Sequence, residues 1–113
     1  LGTKEVKIIQ PPQGEKLGYA DGLYYYNGGI LAVQGQRVNG KLTASIARTY
    51  LDKEYLQATK RLVLEADHPA FRLPTTGAIV NDEFYFIATS FLDKWKKKLP
   101  VVYPVLIMKV KIK

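Results

Sequence analysis

The chain of 113 residues contains no cysteine, so neither a disulfide framework nor a thiolate metal site is available to it. That absence suits an oxidising compartment and the cytosol alike and leaves localisation undetermined. Histidine occurs once, at His68, and tryptophan once, at Trp95. A lone histidine without cysteine partners excludes the usual zinc ligand sets. No long apolar run is present. The longest such stretch, Leu99 to Met108, is broken by Pro100 and Pro104 and is too short to span a bilayer, so no membrane association is expected. No charged-then-apolar leader opens the chain, and its start at Leu1 rather than Met reads as a processed or excised piece of a longer protein. Glycine-rich phosphate loops, serine-nucleophile motifs and paired-carboxylate spacings are also lacking, and no catalytic residue is assigned from the sequence.

What is present is an ordinary globular composition, 47% hydrophobic and 24% charged, in a length that fits one small domain. The formal net charge is +7. Its lysines are scattered through strand-like and turn-like segments, with one cluster at Asp93 to Lys98. They read as solvated faces and edge-blunting residues rather than as a phosphate-binding stripe, so no nucleic-acid partner is expected.

Hydrophobic periodicity is two, not 3.6, along almost the whole chain, which specifies strands. Glu5 to Gln10 alternates and predicts a strand, followed by a turn-rich segment from Pro11 to Gly18. Two runs of β-forming residues, GLYYY and ILAVQ, flank Asn27-Gly28-Gly29, a triplet suited to the positive φ angles of a tight hairpin. Leu42 to Leu51 and Ala58 to Ala66 supply two more strands, the first entered through the turn Asn39-Gly40. A second hairpin joins GAIV to FYFIATS through Asn81-Asp82-Glu83, and Val105 to Ile112 forms a last strand. The one helical candidate is Ser90 to Leu99.

These elements repeat. Lys4 to Leu23 and Lys60 to Ala78 each run strand, proline-containing loop, small or polar pair, glycine, apolar strand. Gly22 and Gly77 are about 55 positions apart, at the upper end of a β-propeller blade repeat. A four-stranded sheet cannot bury both faces alone, and radial stacking against neighbouring sheets solves that problem. The expected fold is therefore all-β: two consecutive four-stranded antiparallel blades of a β-propeller, forming a partial ring. Residues 1–18 would be the outer strand of a preceding blade and a loop, 19–68 a complete blade, and 69–113 a final blade with three strands. Tyr24, Tyr25 and Tyr26 then pack on alternate faces of an inner strand rather than forming a stacking platform.

The hairpins DGLYYYNGGILAVQ and PTTGAIVNDEFYFIATS, with LEADHPAF between them, resemble the C-terminal blades of the gluconolactonase/regucalcin-like superfamily of six-bladed propellers. The resemblance implies a divalent cation, commonly Ca²⁺, at the centre of the complete ring, and a parent protein that hydrolyses lactones or related esters. It places Asp21, immediately before Gly22, at a metal-ligand position. Thr76, before Gly77, occupies the equivalent place in the next repeat and would contact substrate or a bound water. His68, in Asp67-His68-Pro69, is a further candidate for substrate binding, with loop structure as its competing role. The sequence departs from the family at Thr89, where close relatives carry Asn. The fragment alone is expected to be inactive, with the remaining blades or further copies of itself as partners and a small molecule in the central pocket. The alternative is a non-enzymatic propeller module that binds a ligand or a protein.

Overall fold

The computed structural model describes residues 5–13, 19–90 and 105–113. Seven strands form among them: β1 (Tyr19–Tyr26), β2 (Gly29–Val38), β3 (Lys41–Leu51), β4 (Ala58–Ala66), β5 (Gly77–Val80), β6 (Glu83–Ile87) and β7 (Ile107–Lys111). They build two antiparallel sheets, one of four strands in the order β1-β2-β3-β4 and one of three in the order β5-β6-β7. Each is a meander in which sequence neighbours pair, the form of a propeller blade. The protein is all-β, as the periodicity requires.

Three tight turns fix the registers. Asn27 (φ 40°) and Gly28 (φ 77°) close the β1–β2 hairpin, with Tyr26 opposite Gly29. Asn39 (φ 51°) and Gly40 (φ 78°) do the same between β2 and β3. Paired positive φ angles match the right-handed twist of the flanking strands, and Asn-Gly reaches them at low cost. Asn81, also left-handed at φ 55°, turns β5 into β6.

The sheets pack face to face. Tyr26, Leu31, Val33 and Ile46 from the first sheet meet Phe84, Phe86, Ala88 and Ile112 from the second, all buried, with Tyr24, Leu64, Phe71, Ile79, Met108 and Val110 at the margins. The Tyr24 and Phe84 rings lie 5.2 Å apart, and Phe84 stacks on Phe86 at 5.5 Å. Strand alternation therefore sorts the tyrosine run as expected. Tyr24 and Tyr26 enter the seam between the sheets, and Tyr25 points the other way, 66% exposed.

Two polar contacts from the last three residues of β1 tie the sheets, at opposite ends of β5. The Tyr26 hydroxyl donates to the Asp82 carboxylate in the β5–β6 turn, and the Gly77 N–H donates to the Tyr24 hydroxyl at 2.7 Å. Against Tyr26 lies Arg48, 9% exposed, with its guanidinium carbon 4.8 Å from the Tyr26 ring centroid and 4.4 Å from that of Tyr50. This buried cation is held by aromatic faces, and its Nε has no hydrogen-bond partner among the described residues.

The strand expected over Glu5 to Gln10 does not form. Only Gln10 finds a ladder partner, a parallel bridge to Gln57, while Val6 and Ile8 stand 96% and 78% exposed. Alternation specifies an extended backbone, but a strand also needs a neighbour to receive its hydrogen bonds. Apart from Ser90, the helix expected over Ser90 to Leu99 falls outside the described residues, as do Trp95 and the lysine cluster. The sequence repeat also aligns Ala32 with Ala88, but it is sharper in the structure at its glycines. Gly22 and Gly77 both lie in the first strand of a sheet, whereas Ala32 sits within β2 and Ala88 lies past the end of β6.

Candidate functional site

Asp21 lies in β1 at a register shift: Ala20 pairs with Gln34 and Gly22 with Val33, leaving Asp21 as the extra residue of a bulge. Such a bulge re-aims a side chain away from the ladder. The carboxylate is exposed and lines a cavity of about 330 Å³ together with Tyr19, Gln34, Gly35, Thr43, Ala44, Leu73 and Pro74. The lining thus joins the start of β1, the end of β2, the start of β3 and the loop that leads into β5.

The two glycines of the repeat are required here for different steric reasons. A Cβ on Gly22 would come within 2.9 Å of the Tyr24 hydroxyl and 3.0 Å of its ring, so glycine lets Tyr24 fold back along β1. A Cβ on Gly77 would lie 2.8 Å from the Phe86 Cα and closer still to the Tyr85 carbonyl oxygen, so glycine permits the close approach of β5 to β6. Tyr24 connects the two positions, since its hydroxyl receives the Gly77 N–H.

Thr76 is exposed beside Gly77, and its carbonyl accepts the Ile87 N–H at 2.9 Å. It does not belong to the lining of the Asp21 cavity. His68 is half-buried, 5.6 Å from the Phe71 ring, and its Nδ1 accepts the Ala70 N–H at 3.1 Å. That contact occupies the acceptor nitrogen, so neutral His68 presents Nε2–H to its surroundings as a donor. Asp67 does not orient it. Its carboxylate accepts the Ala44 N–H at 3.0 Å and its own N–H donates to the Ala44 carbonyl, closing the end of β4 onto β3. Thr89 is buried, and its hydroxyl accepts the Leu106 N–H at 2.8 Å. The structure therefore brings Asp21 to a cavity and leaves Thr76 and His68 elsewhere.

Sequence reasoning missed Gln34. Its side chain is buried in an otherwise apolar run, which was the available signal. The Gln34 Oε1 accepts from Arg61 Nε at 3.0 Å, while Arg61 Nη2 donates to Ser45 Oγ at 3.3 Å. This contact fixes the amide orientation on the far face of the first sheet. Gln34 also borders a second, apolar cavity of about 210 Å³ on the far face of the first sheet, lined by Ile9, Leu23, Ile30, Ala32, Thr49, Leu51 and Ala58.

Tyr26 and Tyr25 have acidities shifted in opposite directions. The Asp82 carboxylate, by accepting the Tyr26 hydroxyl proton, holds that phenol above its ordinary range, and burial adds to the effect. Tyr25 is lowered, first by its contact with the Tyr55 hydroxyl and then by the Gly28 N–H, which donates to it at 3.1 Å. Neither phenol borders the Asp21 cavity.

Among the described residues no three His, Cys, Asp or Glu side chains converge to hold a metal. Calcium takes six to eight oxygen ligands, and Asp21 is the single carboxylate among the described residues that line its cavity. These residues do not fit a metal centre on their own. No known family, curated protein or solved structure matches the chain.

Proposed function

We propose that the chain supplies two adjacent blades to a propeller-type ring resembling the gluconolactonase/regucalcin-like family, and that the complete ring hydrolyses lactones or related esters. The observation that carries this reading is the pair of consecutive, face-packed meanders with Asp21 lifted out of the ladder at the entry of the innermost strand, over a cavity. The far face of the first sheet supports the larger ring. Leu23 (62% exposed), Tyr25 and Val63 stand open there around Arg61, an apolar surface of the kind a neighbouring sheet covers. Further blades or further copies of the chain are the candidate neighbours.

The chain contributes Asp21 as a carboxylate facing the ligand, while Tyr24 and the two glycines hold the entries of β1 and β5 at a fixed spacing. A divalent cation in the ring would draw its other oxygen ligands from outside the described residues. The test is turnover of a panel of δ-lactones and aryl esters by the full-length protein carrying these residues, with calcium binding measured by calorimetry for wild type and Asp21→Ala. Turnover and calcium affinity that both fall in the variant support the reading, and equal calcium affinity removes Asp21 from the metal site.

A second reading is a non-enzymatic propeller module that binds a small molecule in this cavity. The donor set favours it, because one carboxylate and a tyrosine make a binding wall but not a hydrolytic machine. Absence of turnover with retained ligand binding would select it.

A further inference from the structure

We propose that the Asp21 cavity is a binding site for a small primary amine in its ammonium form. The inference rests on taking that cavity as the ligand end of the first sheet, but it names a different occupant from a metal and a lactone. Asp21 carries the only formal charge among the eight lining residues, in a chain whose net charge is +7. The cavity thus places a carboxylate, unopposed by a cation among the described lining residues, on a basic protein, and a cation entering it is attracted.

The other lining groups suit an organic cation better than a bare one. Tyr19 is 66% exposed beside Asp21 and offers an aromatic face to an ammonium group. Ala44, Leu73 and Pro74 give an apolar wall for a hydrocarbon body. A volume of about 330 Å³ lies at the small end of ligand cavities and accommodates a molecule of roughly ten heavy atoms. A divalent ion needs several oxygens at once. An ammonium group is served by one carboxylate and one aromatic face. Because Asp21 is exposed, the attraction is modest and falls with salt.

The test is a titration of the full chain with 2-phenylethylamine and with its neutral isostere 2-phenylethanol, near pH 7 and at low salt, followed by calorimetry or chemical-shift changes. The same titrations are run on Asp21→Asn and Tyr19→Leu, both at exposed positions, after circular dichroism shows them folded. The amine is expected to bind at least about fivefold more tightly than the alcohol. Asp21→Asn should erase that preference without weakening the alcohol, and Tyr19→Leu should reduce it. An amine-to-alcohol ratio below fivefold in the wild type, or a preference that survives Asp21→Asn, overturns the proposal. Calcium chloride titrated alone separates the two readings of the cavity. Calcium binding that requires Asp21 and that the amine does not displace overturns the amine site and supports the metal. Lactone turnover without amine preference likewise overturns the amine site while leaving the hydrolase reading standing. Amine preference without turnover does the reverse.

Discussion

Replacing Gly77 by alanine tests the central geometric claim, that the approach of β5 to β6 leaves no room for a side chain. The Gly77 φ is not left-handed, so alanine carries no backbone penalty and in a strand would ordinarily stabilise by about 0.5–1 kcal/mol. Here the added methyl meets the Phe86 Cα at 2.8 Å and the Tyr85 carbonyl more closely, and backbone in a paired ladder cannot swing aside. Overpacking of this kind costs about 1–3 kcal/mol. Displacing Gly77 also breaks its N–H bond to Tyr24, worth about 1 kcal/mol. The expected net loss is about 1–3.5 kcal/mol, a large share of the stability of a small domain. Gly22→Ala is the control, since its added methyl meets the Tyr24 side chain, which can rotate away. That substitution should cost about 1 kcal/mol, chiefly the lost Tyr24–Gly77 contact. Urea unfolding followed by circular dichroism gives both values, and hydrogen exchange across β5 and β6 locates the first. In a Tyr24→Leu background the cost of Gly22→Ala should vanish, while most of the cost of Gly77→Ala remains. A Gly77→Ala variant that loses less than Gly22→Ala, or whose loss disappears with Tyr24, would refute the steric argument.

Arg48→Lys should destabilise by about 1–2 kcal/mol in urea unfolding, because a lysine cannot stack its planar face between Tyr26 and Tyr50. Asn27→Ala should cost about 1 kcal/mol by the same assay, since alanine is strained at φ 40° where asparagine is tolerated. The Tyr26–Asp82 contact sets an alkaline limit. Its phenol is held above the ordinary value of 10.0 in the folded state, so its contribution is fully present below that pH and is lost as pH rises through the raised folded value. Unfolding measured from neutral to strongly alkaline pH should show this decline. Tyr26→Phe should be less stable at neutral pH and should flatten the alkaline slope.

The secondary structure was legible because its determinants are local. Alternating side chains define β1 to β4, and Asn-Gly pairs supply the left-handed angles that close two of the hairpins, so the stretch from Tyr19 to Ala66 follows from residue order. The apolar alternation of Glu5 to Gln10 misled because a strand is a pairing, and the partner of a strand is not written in its own residues. The same limit governed the site. Asp21 was legible as an Asp-Gly strand entry, but its bulge arises from the register between β1 and β2. Gln34, Tyr19, Leu73 and Pro74 reach the same cavity from separate parts of the chain, and nothing in their order announces that meeting.

Residue order dictates that this protein is built of antiparallel strands, where it turns, and which faces are apolar, because turn chemistry and two-residue periodicity act over a few bonds. The packing of the two sheets sets that Tyr24 reaches Gly77, that Tyr26 reaches Asp82, that Arg48 meets two tyrosine rings, and that Asp21 faces a cavity while His68 and Thr76 do not border it. Those outcomes depend on how two sheets lie against each other, and that placement is set by the summed packing of both faces rather than by any one segment.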